Sequence, residues 1–286
     1  VLLGDSILDN ENYIIDGPCV TDQFRNKCNK LNLKYKITNC AIDGATTHDL
    51  LEDNSNVIQN IPNTATYIVL SIGGNDGLMS LNEFSDVRNW LPWNFIGLIY
   101  KAKHDFIGQY NEILNTIKST HPNCKIIGMT IYYPVFDESV LLQLIANLGV
   151  NILSNVILRT CKKHNIPVID LRKVFDKRQD YANSIEPGIP GGDKIVNNSL
   201  NIIHNYHGNN VYFNREYSEW IDINKYYGMN NVWHPRYNKY QKGNVATRFF
   251  RRAFNEGNNR DIKVFSKIFV VGCIVGITCF IGLRYK

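Results

Sequence analysis

The 286 residues lack the spacings that would tie them to a metal, a disulfide framework or a nucleotide phosphate. Of seven cysteines, two fall in a C-terminal apolar run, leaving Cys19, Cys28, Cys40, Cys124 and Cys161, with no Cys-x-x-Cys and no histidine at ligand spacing. A metal centre and a disulfide-stapled scaffold are thereby disfavoured, and neither a metal nor an organic cofactor is expected. No Gly-x-Gly-x-x-Gly follows the first apolar run, which argues against a phosphate-cradling loop. Nor is there a surplus of basic charge in the first 235 residues. They carry 20 Lys/Arg against 24 Asp/Glu, a balance of −4, so nucleic acid is not an expected partner. One sequon, Asn197-Asn198-Ser199, is too little to argue secretion.

What is present is an ordinary globular composition, 44% hydrophobic and 20% charged, with an atypical end. Residues 236–286 hold 11 Lys/Arg against Glu256 and Asp261, a balance of +9. Within them, Ile268 to Leu283 contains no charge, and Val264 and Phe265 extend the run. Twenty helical residues span roughly 30 Å, the thickness of a bilayer core. The pattern predicts a single-pass C-terminal transmembrane helix over 264–283, followed by a short tail, 284–286. Gly272 and Gly276 form a small-xxx-small pair of the kind that packs helices as dimers. The basic flank, Arg236 to Lys263, favours the cytosolic side and anionic headgroups.

Residues 1–206 alternate between strand-like and helix-like periodicity. Strands are expected at Val1–Leu3, Tyr35–Ile42, Tyr67–Ile72, Lys125–Tyr132 and Pro167–Leu171. Helical spacing appears in Val20, Phe24, Cys28 and Leu31, in Leu50 to Ile58, in Ile107 to Ile117 and in Val140 to Leu158, and a closing helix is expected over Lys194–Ile203. Such alternation predicts an α/β domain, a three-layer doubly wound sheet of about five parallel strands. Residues 207–263 are rich in Asn, Tyr and Arg without a sustained period, and read as an irregular juxtamembrane segment.

Three short blocks fall at the carboxyl ends of predicted strands, where open parallel sheets bind ligands. They are Gly4-Asp5-Ser6, Asn39-Cys-Ala-Ile-Asp-Gly44 and Gly73-Gly-Asn75-Asp76. Ser6, expected at the start of the first helix, offers an exposed hydroxyl and a free backbone N–H. Gly44 lets a backbone N–H approach a ligand closely, and Asn75 supplies a carboxamide donor. A nucleophile with three donors aimed at a developing oxyanion is what acyl transfer needs.

In these three ordered blocks the chain resembles the SGNH, or GDSL-type, hydrolase family of esterases and acylhydrolases over roughly residues 1–206. The resemblance implies a flavodoxin-like sheet, Ser6 as nucleophile, and an oxyanion hole made by the Ser6 N–H, Gly44 and Asn75. A fourth block departs from it. The family ends in Asp-x-x-His-Pro, with the His as base and the Asp orienting it. Here the corresponding stretch reads Asn183-Ser-Ile-Glu186-Pro187, with Glu in place of His and Asn in place of Asp. A second candidate, Asn231-Val-Trp-His234-Pro235, has His-Pro but lies in the irregular segment.

Position favours Glu186 as base, protonation chemistry favours His234, and a third alternative is that neither serves. His48, His104, His121 and His164 read as helix or helix-end residues. The resulting expectation is a membrane-anchored serine esterase acting on a small-molecule or lipid ester. Its alternative is an inactive binding or scaffold protein that keeps the fold without the base. The aromatic cluster Trp90-Leu-Pro-Trp93-Asn-Phe95 would line an acyl or membrane-facing surface, or simply pack its own loop.

Overall fold

The computed structural model describes residues 1–52, 56–83, 92–137 and 140–205. The predicted transmembrane run, the irregular segment, His234 and Gly272/Gly276 lie outside the described residues, as does Trp90; of Trp93 and Phe95 no side chain is described.

Four strands, β1 (Leu2–Gly4), β2 (Tyr67–Ser71), β3 (Lys125–Met129) and β4 (Val168–Ile169), pair in the order β1-β2-β3-β4, all parallel. Adjacent residues within each strand go to opposite faces. Leu2, Val69, Ile127 and Ile169 join one apolar cluster, while Leu3, Ile68, Leu70, Ile126 and Val168 join the other. Burial on both faces is why these strands read as continuous apolar runs rather than as alternating ones.

Helices α1 (Val20–Lys30) and α7 (Ile189–Asn205) cover the first face through Val20, Phe24, Cys28, Ile195, Val196 and Leu200. The second face is covered by α2 (Thr47–Leu51), α4 (Pro92–Thr120) and α5 (Val140–Lys163), which contribute Leu50, Ile113, Ile117, Leu153 and Ile157 among others. Each fully buried side chain of this size stabilises the fold by about 1.5–3 kcal/mol. Helix α5 is apolar and long enough to cross a membrane by length and composition, and its Val150, Leu153, Val156, Ile157 and Cys161 are buried in this core. Helices α1 and α5 end alike, on Asn32 and Asn165 at positive φ, with Leu33 N–H returning to the Cys28 carbonyl and Ile166 N–H to that of Cys161.

The expected second strand, Tyr35–Ile42, is not a regular strand. It joins the outer edge of β1 through a bridge at Asn39, with the Cys40 N–H on the Leu2 carbonyl (2.8 Å) and the Ile42 N–H on that of Gly4 (2.9 Å). Asn39 Oδ1 accepts the Ala41 N–H at 3.0 Å, a local side-chain bond on an amide that β1 does not take up. The sheet therefore has four regular strands and one bridged edge segment. Two smaller α-helices, α3 (Gly74–Glu83) and α6 (Leu171–Val174), the latter capped by Asp170, and two 3-10 turns, Glu11–Tyr13 and Arg178–Asp180, are the other helical elements among the described residues. Leu78–Glu83 and Pro92–His104 belong to a second compact unit, in which Tyr100 stacks on His104.

Gly4 ends β1 at φ +137°, and a Cβ there would sit 1.7 Å from the Ser71 carbonyl oxygen on β2. Both backbone conformation and space demand glycine. Gly4→Ala is expected to destabilise the domain by more than about 3 kcal/mol, read as a lost or strongly lowered thermal unfolding transition.

Candidate active site

Beyond Gly4 the chain makes a turn rather than the expected helix. Leu8 and Asp9 N–H groups both return to the Asp5 carbonyl (3.0 and 3.1 Å), and Asp5 Oδ1 accepts the Ile7 N–H at 3.1 Å. The side-chain bond diverts that amide from helical pairing, and the first α-helix begins only at Val20. Ser6 sits in this turn and is 7% exposed, less open than the sequence suggested. Its backbone N–H has no partner among the described residues.

The Ser6 hydroxyl donates to Glu186 Oε1 at 3.2 Å. The bond is long for an O–H···O contact, as such bonds often are before substrate tightens them. Glu186 is 3% exposed, and its Oε2 has no hydrogen-bond partner among the described residues. Burial pushes its carboxyl well above the usual range; the Ser6 bond opposes this, and the negative charges of Asp5 and Asp43 add to it.

The second and third blocks are bonded to each other. Asn75, in the first turn of α3, donates from Nδ2 to the Ala45 carbonyl at 2.9 Å, which fixes its carboxamide beside the turn containing Gly44. Gly44 has φ +85°, nothing lies within 4 Å of where a Cβ would stand, and its N–H has no partner among the described residues. Asp76 accepts the Thr47 N–H (3.1 Å) and hydroxyl, tying α3 to the start of α2. Asp9 accepts from Asn39 Nδ2 (3.0 Å) and the Asp43 N–H (3.1 Å), locking the edge segment to the nucleophile turn. Tyr13 donates to Asp43 at 2.8 Å.

Of the residues named from the sequence, Ser6 and Glu186 are thus in direct contact, Gly44 and Asn75 occupy linked turns, and His234 lies outside the described residues. Asn183, standing where the family has Asp, does not touch the Glu186 carboxyl. Its Oδ1 instead accepts the Ile185 and Glu186 N–H groups at 2.8 and 2.9 Å. An Asn followed shortly by Pro is a turn signal, so this role was readable. The roles of Asp9, Tyr13 and Asp43 carried no local signal, because their partners lie thirty or so residues away. No group of three or more His, Cys, Asp or Glu side chains suited to a metal occurs among the described residues.

Comparison with known proteins bears on the family and the fold. The model of the GDSL-like Lipase/Acylhydrolase family matches residues 2–189. The lipase Lip_vut3 from a goat rumen metagenome is similar in structure, with a TM-score of 0.54 at 18% identity over 70% of this chain and 94% of its own. A Parabacteroides merdae protein described as GDSL-like lipase gives 0.52 at 18% identity over 68% and 90%. At these identities the likeness is one of fold. A comparison with curated proteins gives no significant match.

Asp5, 1% exposed, is pushed up to about 7, first by burial and then by the charge of Asp76, against the Ile7 N–H. Its ordinary value is 3.8, so between about pH 4 and 7 the folded chain keeps a proton that the unfolded chain has released. Stability therefore falls as pH rises through that window. Asp5→Asn, which keeps the acceptor for Ile7, is expected to flatten the fall, measured as a smaller drop in Tm between about pH 4 and 7.

Proposed function

The chain belongs to the GDSL-like lipase/acylhydrolase family, and we propose that it is a serine ester hydrolase in which Ser6 is the nucleophile and Glu186 the general base. The observation that carries this reading is the Ser6 Oγ to Glu186 Oε1 contact, made between two buried side chains just beyond the carboxyl end of β1. An ordinary carboxylate is too weak a base to deprotonate serine well at neutral pH, and burial that raises Glu186 narrows the gap.

In this mechanism Ser6 Oγ bonds to the ester carbonyl carbon as its proton passes to Glu186. The carbonyl electron pair moves onto oxygen, where the Ser6 and Gly44 N–H groups and the Asn75 carboxamide receive it. Collapse of the intermediate breaks the bond to the alcohol, which leaves with the proton from Glu186. A water then repeats the sequence, with Glu186 again taking the proton, and releases the acid. The donors described above are unpaired or, for Asn75, held by one bond that leaves a second N–H.

The acyl chain and alcohol accepted by the site are not specified by these residues. A lipid ester is favoured by the apolar run 264–283 and its basic flank, which support a chain anchored in a membrane with this domain on the cytosolic side. Deleting residues 264–286 is expected to move the protein from the carbonate-washed membrane pellet to the supernatant; retention in the pellet would count against the anchor.

With a p-nitrophenyl ester, Ser6→Ala is expected to remove turnover, Glu186→Gln to leave only a small residual rate, and Asn75→Ala to cost on the order of 10²-fold in kcat. A fluorophosphonate should label Ser6 in the wild type and not in Ser6→Ala. Only the ionised carboxylate accepts a proton, so the rate should rise with pH through a single step above the ordinary carboxylate range. A Glu186→Gln variant with the wild-type rate and profile would remove Glu186 from the mechanism.

A further inference from the structure

A histidine base is oriented through its own ring by a neighbouring carboxylate. Glu186 has no equivalent, because its Oε2 lacks any partner among the described residues and its Oε1 meets only the serine it would deprotonate. Its direction must therefore come from the backbone on either side, and both flanking carbonyls are gripped by buried side chains. The Tyr132 hydroxyl donates to the Ile185 carbonyl at 2.6 Å, and Asn10 Nδ2 donates to the Pro187 carbonyl at 3.0 Å.

Each grip is rigid for a visible reason. The Tyr132 ring stacks on Phe175 with centroids 4.2 Å apart and meets Tyr181 edge-on at 5.4 Å, leaving its hydroxyl one place to be. Asn10 is fully buried, and its Oδ1 accepts the Val20 N–H at 2.8 Å, so its carboxamide is held from both ends. Asn10 also lies only four residues beyond Ser6. One side chain thus ties the nucleophile turn to the base turn directly.

We propose that Tyr132 and Asn10 are positioning residues that hold Glu186 against Ser6 by gripping the carbonyls before and after it. The proposal rests on the Ser6–Glu186 reading given above. The 3.2 Å contact has little slack, and a shift of about 1 Å takes it out of hydrogen-bond range, a displacement that typically costs about 10²-fold in rate.

Tyr132→Phe tests this, since it keeps the ring stack on Phe175 and removes only the donor. Tyr133→Phe serves as comparison: it also removes a tyrosine hydroxyl bond, to Asn151 Oδ1 at 2.7 Å, on the other face of the sheet. With p-nitrophenyl acetate, Tyr132→Phe is expected to lose about 10²-fold in kcat with KM little changed, and to slow fluorophosphonate labelling to match. The step in its pH profile should move to lower pH as the loosened carboxyl gains water, with Asp5, Asp43 and Tyr13 still facing it. Tyr133→Phe should keep the wild-type kcat and profile.

Adding Tyr132→Phe to Glu186→Gln should cost nothing further, because one acts through the other. Wild-type kcat in Tyr132→Phe, equal losses in both tyrosine variants, or an additive loss in the double variant would overturn the proposal while leaving the Ser6–Glu186 reading in place. An undiminished rate in Ser6→Ala would overturn that reading and this proposal with it.

Discussion

Gly4 stands where β1 leaves the sheet, against the carbonyl of Ser71 on the neighbouring strand, at a backbone angle open in practice only to glycine. Everything that follows in the chain inherits its direction from that point. Asp5 donates its N–H back to Ser71, the turn closes on the Asp5 carbonyl, and Ser6 emerges at the end of β1 facing Glu186 from a segment 180 residues away. A side chain at position 4 would push β1 from β2 and carry the serine with it. The close approach of two backbones is thus the constraint on which the arrangement at the site depends.

That arrangement places several carboxyl groups in a poorly hydrated region. Asp5 and Glu186 both prefer to hold a proton, and Asp43 adds charge against Glu186. Burying carboxyls beside one another opposes folding above the ordinary carboxylate range, and the core on both sheet faces must offset the cost. For the proposed reaction the consequence is chemical: a carboxyl that would be a feeble base in water is matched more closely to a serine hydroxyl. Asp9 accepts two N–H bonds and serves as a strut between the Ser6 turn and the edge segment.

How much of this was legible can be judged from particular elements. The parallel strands were legible because both faces are buried, which leaves unbroken apolar runs such as Tyr67–Ile72 and Lys125–Tyr132. The edge segment 35–42 was read as a strand on the same signal, but Asn39 spends its side chain on its own backbone, a local bond that apolar periodicity does not register. Ser6 was expected on a helix for a similar reason, and the Asp5 carboxyl decides otherwise by taking the Ile7 amide. Of the site, Ser6, Gly44 and Asn75 stood in recognisable blocks, whereas Tyr132 and Asn10 are ordinary residues whose importance lies in the distant carbonyls they reach.

By itself, then, the sequence determined the α/β alternation, the family and the three blocks of the candidate site, because those depend on periodicity and on residues close together in the chain. It left the choice between Glu186 and a distant histidine open, since both precede a proline and neither spacing is decisive. Only the tertiary structure brought a carboxyl to the Ser6 hydroxyl, buried it and left one of its oxygens without a partner. Burial and contact across 180 residues are properties of packing, and no local pattern encodes them.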